Sequence, residues 1–202
     1  MKVPRLLARV VLRLGGWKPL DPPPPIPKYV VIAQHTSNWD FVWMLAFASH
    51  FGMELSWVGK DALFRPPFGG ILRALGGIPV DRSSHQDLVA QMAEQFRLRE
   101  RLILVIAPEG TRHYVDYWKS GFHAIARAAN VPIVPSRLDY ERRVGGFGIV
   151  VPPTQDVRAD MDRLREFYRY QRNKYPALTG RVRLKSEDDF PSQAATPTTR
   201  RP

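Results

Sequence analysis

The chain predicts an α/β fold: a single-domain sandwich whose central sheet, mostly parallel or mixed, is flanked by helices. Three observations carry that expectation. Val30 to Ala33 and Leu102 to Ala107 are short, continuous apolar runs, the pattern of strands covered on both faces. Helical patterns separate them, as βα units require. Each run gives way to polar or turn-forming residues, and α/β sheets place their sites at such strand ends.

The 202 residues suffice for one domain that buries roughly two-thirds or more of its unfolded surface. The absence of cysteine excludes disulfides, thiolate metal sites and a cysteine acyl-enzyme. A net charge of +11 asks for an anionic partner: nucleic acid, an anionic lipid surface or a phosphorylated substrate. No motif with interleaved aromatics speaks for RNA or DNA.

Residues 2 to 18 form a basic amphipathic helix on a wheel. Val3, Leu6, Leu7, Val10, Val11 and Leu14 share an arc of about 140°, with Lys2, Arg5, Arg9 and Arg13 opposite. Such a helix lies in a headgroup plane, cations towards anionic lipid, and Trp17 just beyond it suits the interface. The alternative is a terminal helix packed on the domain's own core. The segment has a signal peptide's positive charge but no uninterrupted apolar stretch or cleavage site, which argues against export. Asp21 to Pro27, with five prolines, reads as an extended spacer between this helix and the domain. The organisation expected is therefore residues 1–20 as interfacial helix, 21–27 as linker, 28–181 as the main domain and 182–202 as a disordered Ser/Thr/Pro-rich tail.

The first buried strand leads into Gln34-His35-Thr36-Ser37-Asn38-Trp39-Asp40. His35 falls at the strand's C-terminal edge, Thr36 to Asn38 are turn and N-cap residues, and Asp40 lies in the first turn of the next helix, where the helix dipole favours an anion. The turn allows the Asp40 carboxylate to fold back onto the imidazole, which makes a general base with its own orienter. The plainer reading is a strand followed by an N-cap. The helix from Asp40 to Phe51 is apolar nearly all round, for core packing or, more sharply, to line an acyl chain. At 13 residues from Phe41, its apolar stretch falls short of the ~20 needed to cross a bilayer.

Glu54 to Gly59 reads as a short strand with Lys60 opening the loop after it, and Gly76 to Arg82 as another whose end delivers Asp81 and Arg82. Gln86 to Arg101 is a scaffold helix. Leu102 to Ala107 is followed by Pro108-Glu109-Gly110-Thr111-Arg112, a second polar cluster past a buried strand. Trp118-Lys119-Ser120-Gly121 opens a helix that Asn130 stops. Gly145 to Val151 is a short strand, and Asp160 to Lys174 a charged helix.

With His35 to Asp40 as an H-x4-D block and Glu109 to Arg112 as an E-G-T-R block, the sequence resembles the glycerolipid acyltransferase family, lysophosphatidic acid acyltransferases in particular. Gly76 to Arg82 and Val131 to Pro135 resemble its other two blocks, and all four appear in family order across about half the chain. The resemblance implies a glycerolphosphate acyltransferase-like sandwich and transfer of a fatty acyl group from a thioester to a lysophospholipid hydroxyl, most simply 1-acyl-glycerol-3-phosphate. It implies His35 as base and Asp40 as its orienter. The resemblance implies that Arg82 holds the acceptor's phosphate. Read by their chemistry, Arg82 and Arg112 offer two guanidinium forks to it, Glu109 anchors the loop or an acceptor hydroxyl, Gly110 beside Thr111 lets the turn approach the substrate, and Lys60 and Lys119 reach towards the phosphates of an acyl carrier. No cofactor and no metal is implied. The implied partners are acyl-coenzyme A or an acyl carrier protein and the lysophospholipid; the basic amphipathic helix adds an anionic membrane, on whose cytoplasmic face the protein is expected to sit peripherally. Gln34 and the Thr-Ser-Asn-Trp filling of the block depart from many relatives and bear on the acceptor: a lipid without phosphate or an amino-lipid is the alternative. A water-using hydrolase shares the base, and a binding-only membrane protein shares the charge. Neither accounts for His35, Asp40 and Glu109 gathered at strand ends beside two arginines, and no G-x-S-x-G elbow is present.

Overall fold

A computed structural model describes residues 4–80 and 85–188. Among the described residues, seven strands form one sheet in the order β1-β7-β6-β2-β5-β3-β4. They are β1 (Lys18–Pro19), β2 (Lys28–Ala33), β3 (Leu55–Lys60), β4 (Gly77–Val80), β5 (Leu102–Ile106), β6 (Ile133–Asp139) and β7 (Val144–Phe147). Every neighbouring pair is parallel except β6 with β7, so the sheet is mixed and mostly parallel, as expected.

The short helix α3 (Gly69–Ala74) lies between β3 and β4. The apolar run of β2 follows from its central place. Val30 and Ile32 face a core built with Met92 and Phe96 of α4 (His85–Leu98), Phe122 and Ile125 of α5 (Gly121–Ala128), and Met161 and Leu164 of α6 (Val157–Tyr168). Tyr29 and Val31 face the other side, against Met44 and Phe51 of α2 (Trp39–Phe51). Alternate residues thus point to opposite faces, and both faces are apolar because both are covered. The chain leaves β2 for one face and the adjacent β5 for the other. That divergence opens a crevice at the strands' C-terminal ends.

Element bounds differ from expectation where local chemistry was overlooked. α6 begins at Val157 because Asp156 caps it, its carboxylate accepting from Ala159 N at 3.0 Å. β6 runs through Pro135 to Asp139. The missing proline N–H is tolerated there because the antiparallel ladder to β7 begins only at Ser136↔Phe147. Trp118 precedes α5 as an extended residue bridged to Leu184, which is buried. Residues 182 to 188 are therefore part of the fold rather than a disordered tail; 189–202 lie outside the described residues. α2 ends at Gly52, whose φ of 70° is left-handed and which lets Met53 N donate back to Ala48 O at 2.8 Å.

The N-terminal helix α1 is Arg5–Leu14, shorter than 2 to 18, and it is not held away from the domain. Ala8 and Leu12 are buried, and Leu12 and Trp17 pack with Ala46 and Phe47 of α2. β1 then pairs with β7. This packing corrects the expectation of a free helix on a spacer. The helix docks by a narrow stripe beside its basic arc, while Leu6 (74 % exposed), Leu7, Val10 and Leu14 (83 %) stay open. Val3 lies outside the described residues. Among those described, no helix is long and apolar enough to cross a membrane.

Candidate active site

Sheet register assembles the site. β2 pairs with β5 in parallel up to Ile32↔Ile106, and continuing that register brings His35 level with Glu109. His35 Nδ1 stands 3.6 Å from Glu109 Oε2, longer than a hydrogen bond but close for two ionisable groups. Glu109 is 2 % exposed, and among the described residues neither its carboxylate oxygens nor His35 Nδ1 makes a hydrogen bond. Burial pushes the Glu109 carboxyl up from its ordinary value; the adjacent imidazole opposes that rise.

Asp40 does not meet the imidazole. Its Oδ2 accepts from Thr36 N at 2.8 Å and Ser37 N at 2.9 Å, and its Oδ1 accepts from the Tyr140 hydroxyl. The expectation of a carboxylate folded onto the ring is corrected for a local reason: two unpaired backbone N–H groups lie nearer in the turn, and a carboxylate satisfies both. Asp40 shapes the backbone after His35, and Glu109 is the ring's charged neighbour. Further contacts pin the turn. Tyr175 N donates to Thr36 Oγ1 at 3.2 Å, and the buried Gln34 Oε1 accepts from Asn173 Nδ2 at 3.3 Å.

The E-G-T-R segment faces the same opening. Arg112 donates to Asn38 Oδ1 at the mouth of α2, so the two blocks touch directly. Gly110 has φ 66°, and a Cβ there would lie 2.9 Å from Lys119 Cε and 3.0 Å from its Nζ. The left-handed turn favours glycine, and the missing Cβ leaves room for the lysine side chain across it. Lys60 is exposed at the end of β3. Arg82 and its neighbour Asp81 lie outside the described residues.

Beyond His35 opens a cleft of about 860 Å³. Lys60, Thr111, Arg112 and Lys119 line its polar end, and Val31, Met44, Phe47, Leu55, Trp57 and Phe147 its apolar reach. The cleft is amphiphilic: cations at the strand ends, hydrocarbon-like walls along α2. Sequence reasoning missed two residues. Arg137 lines the cleft from inside β6, its guanidinium 4.4 Å from the Phe167 ring centroid. Tyr140 reaches Asp40 from the turn after β6. A cation within a strand and a tyrosine in a charged turn carry no sequence signal of their own.

A family model described as Acyltransferase matches residues 20–139, more than half of the chain. The chain belongs to the acyltransferase family. A 1-acyl-sn-glycerol-3-phosphate acyltransferase of Pseudomonas aeruginosa is 30% identical over 111 residues, 52% of this chain and 42% of that relative. The chain thus aligns with less than half of that relative's length. Among solved structures, the 1-acyl-sn-glycerophosphate acyltransferase PlsC of Thermotoga maritima superposes with a TM-score of 0.54 at 15% identity. That match covers 82% of this chain and 73% of PlsC, a likeness of fold. The sheet with its flanking helices is that of the acyltransferase fold.

Proposed function

We propose that this acyltransferase-family protein moves a fatty acyl group from an acyl thioester to the hydroxyl of a lysophospholipid, 1-acyl-glycerol-3-phosphate being the acceptor of choice. The observation that carries the reading is His35, partly exposed where the cationic end of the cleft meets its apolar walls, with buried Glu109 beside Nδ1. A carboxyl on that side favours the tautomer protonated at Nδ1, and Nε2 is then the base. The acceptor hydroxyl gives its proton to Nε2 as its oxygen attacks the thioester carbonyl carbon. The tetrahedral adduct collapses with cleavage of the C–S bond. A thiol with pKa near 8.5 departs readily as thiolate, and the imidazolium returns the proton to it. No acyl-enzyme is required.

In this reading the apolar walls hold an acyl chain, and Arg112, with Arg82 by the family resemblance, clamps the acceptor's phosphate by guanidinium forks. Lys60 and Lys119 meet the phosphates of coenzyme A or of a carrier protein's prosthetic arm. The open apolar arc of α1 and its arginines seat the protein on the inner face of an anionic membrane.

The test is to incubate the protein with mixed acyl thioesters and a panel of lysolipids, with and without headgroup phosphate, and identify products by mass spectrometry. Acylation confined to phosphorylated acceptors is the expected result, with His35→Ala losing at least about a hundredfold in turnover while keeping its fold. Acylation of acceptors lacking phosphate would reassign the acceptor. Free fatty acid released regardless of acceptor would mean hydrolysis instead.

A further inference from the structure

The structure joins the turn after His35 to the corner after α1 through one side chain that lies outside the family's matched span. Tyr140 directly follows β6, one residue beyond the match at 20–139, and Trp17 precedes it. The Tyr140 hydroxyl donates to Asp40 Oδ1, while Oδ2 of the same carboxylate holds the N–H groups of Thr36 and Ser37. Asp40 is 7 % exposed, so its two oxygens depend on protein donors more than on solvent. Remove the donor at Oδ1, and the carboxylate is free to tilt away from the two amides that set the backbone after His35.

The other edge of Tyr140 meets the N-terminal region. Its ring lies edge-on to Trp17 with centroids 5.0 Å apart, and Trp17 packs against Trp43 at 5.2 Å and Phe47 at 5.8 Å. Trp17 N donates to Leu12 O at 2.8 Å, which closes the end of α1. The turn bearing Tyr140 also grips this corner: Lys18 N donates to Arg143 O at 2.8 Å, and the Arg143 guanidinium to Gly15 O at 3.1 Å. The seat of α1 and the seat of Asp40 therefore share Tyr140. Burial first, and the Asp40 carboxylate second, push the tyrosine hydroxyl far above its ordinary value, so it remains a donor at any working pH.

We infer that Tyr140 is a positioning residue for His35: by donating to Asp40 it fixes the Thr36–Ser37 turn, and by packing on Trp17 it links that turn to the docking of α1. The inference deepens the acyl-transfer reading and rests on it for its kinetic consequence, though not for its structural one.

The experiment compares full-length wild type with Tyr140→Phe, Asp40→Asn, Trp17→Leu and the Tyr140→Phe pairings with each. Two measurements are made: kcat and KM on soluble short-chain substrates, and hydrogen exchange at the Thr36 and Ser37 amides without substrate. Phenylalanine keeps the ring on Trp17 and loses only the donor. Tyr140→Phe should exchange faster at both amides and lose about tenfold or more in kcat, with KM for donor and acceptor little changed. Asp40→Asn combined with Tyr140→Phe should be no worse than Asp40→Asn alone, because both act on one turn. Trp17→Leu should lower kcat in wild type and add little in the Tyr140→Phe background. Unaltered amide exchange in Tyr140→Phe overturns the inference, as does faster exchange with undiminished kcat. Equal losses from Trp17→Leu in both backgrounds would break the link to α1. Absence of acyl transfer by the wild type would strike the functional reading alone, since amide exchange still decides whether Tyr140 holds the turn.

Discussion

Glu109 sits where a carboxylate is expensive: it is nearly inaccessible, and the His35 imidazole at 3.6 Å, with the backbone amides of Glu109 and His35, favours its charge less than burial disfavours it. Its folded-state pKa is raised from an ordinary 4.5, chiefly by burial. A group of that kind favours the folded state fully below its unfolded pKa, and that contribution is lost as pH rises through the folded value. Glu109→Gln keeps the shape and removes the titration. Relative to this variant, the wild type should lose stability progressively as pH climbs above about 4.5, measured as denaturation midpoints across a pH series. The same substitution should lower acyl transfer, since a glutamine beside Nδ1 stabilises an imidazolium less well. A variant with unchanged turnover would remove Glu109 from the chemistry and leave it as a buried anchor. The pairing of His35 with Glu109 was half legible. Both residues were placed at strand ends from their motifs, but their contact depends on the β2–β5 register, which no local pattern states. The spacing singles out Asp40 but not its partners, because the competing N–H groups and Tyr140 become visible only in space.

At the level of the element, α1 presents two apolar faces, one docked and one open. Ala8 and Leu12 are buried on the domain, while Leu6, Leu7, Val10 and Leu14 form an open apolar arc beside the arginines. The two faces predict opposite phenotypes. Leu12→Ala should cost about 2 to 5 kcal/mol of stability, the usual range for a buried leucine, with vesicle binding by the folded fraction kept. Leu6→Gln with Leu14→Gln should leave the denaturation midpoint within about 0.5 kcal/mol of wild type, as surface changes do. That variant should nevertheless fail to pellet with vesicles of anionic phospholipid, and wild-type binding should weaken with salt. Undiminished pelleting by the double variant would move the lipid contact elsewhere on the surface. The helical wheel revealed the amphipathic character but not the docking stripe. Ala8 and Leu12 lie at the flank of the apolar arc, and only the surface of α2 decides that they, rather than the arc's centre, make the contact.

For the whole molecule, the N-terminal segment is part of the fold. Removing residues 1–20 takes away Leu12 and Trp17 from a buried cluster and β1 from the edge of β7. The truncated protein should lose several kcal/mol and melt well below the full chain, rather than simply detach from membranes. A truncation that melts with the full-length protein would show that this corner contributes little. Leu184, close to the described C-terminal end, is likewise buried against Trp118 and Tyr168, so both ends of the described chain are tied into the sandwich.

What the amino-acid order determined by itself is local. The apolar runs dictated which segments are strands. The turn residues after β2 and β5 dictated where chemistry-bearing side chains emerge, and the H-x4-D and E-G-T-R spacings pointed to the acyltransferase family, which the match over 20–139 shows. These are legible because burial on both faces, capping and backbone turns each act within a few residues. What tertiary structure alone decided is long-range: that His35 faces Glu109, that Arg137 enters the cleft, that Tyr140 reaches back to Asp40, and that α1 docks by its flank. Each joins residues remote in sequence, through sheet register or through packing of one helix on another. Their partners are chosen by the shape and unmet hydrogen bonds of the whole surface, which no window of sequence contains.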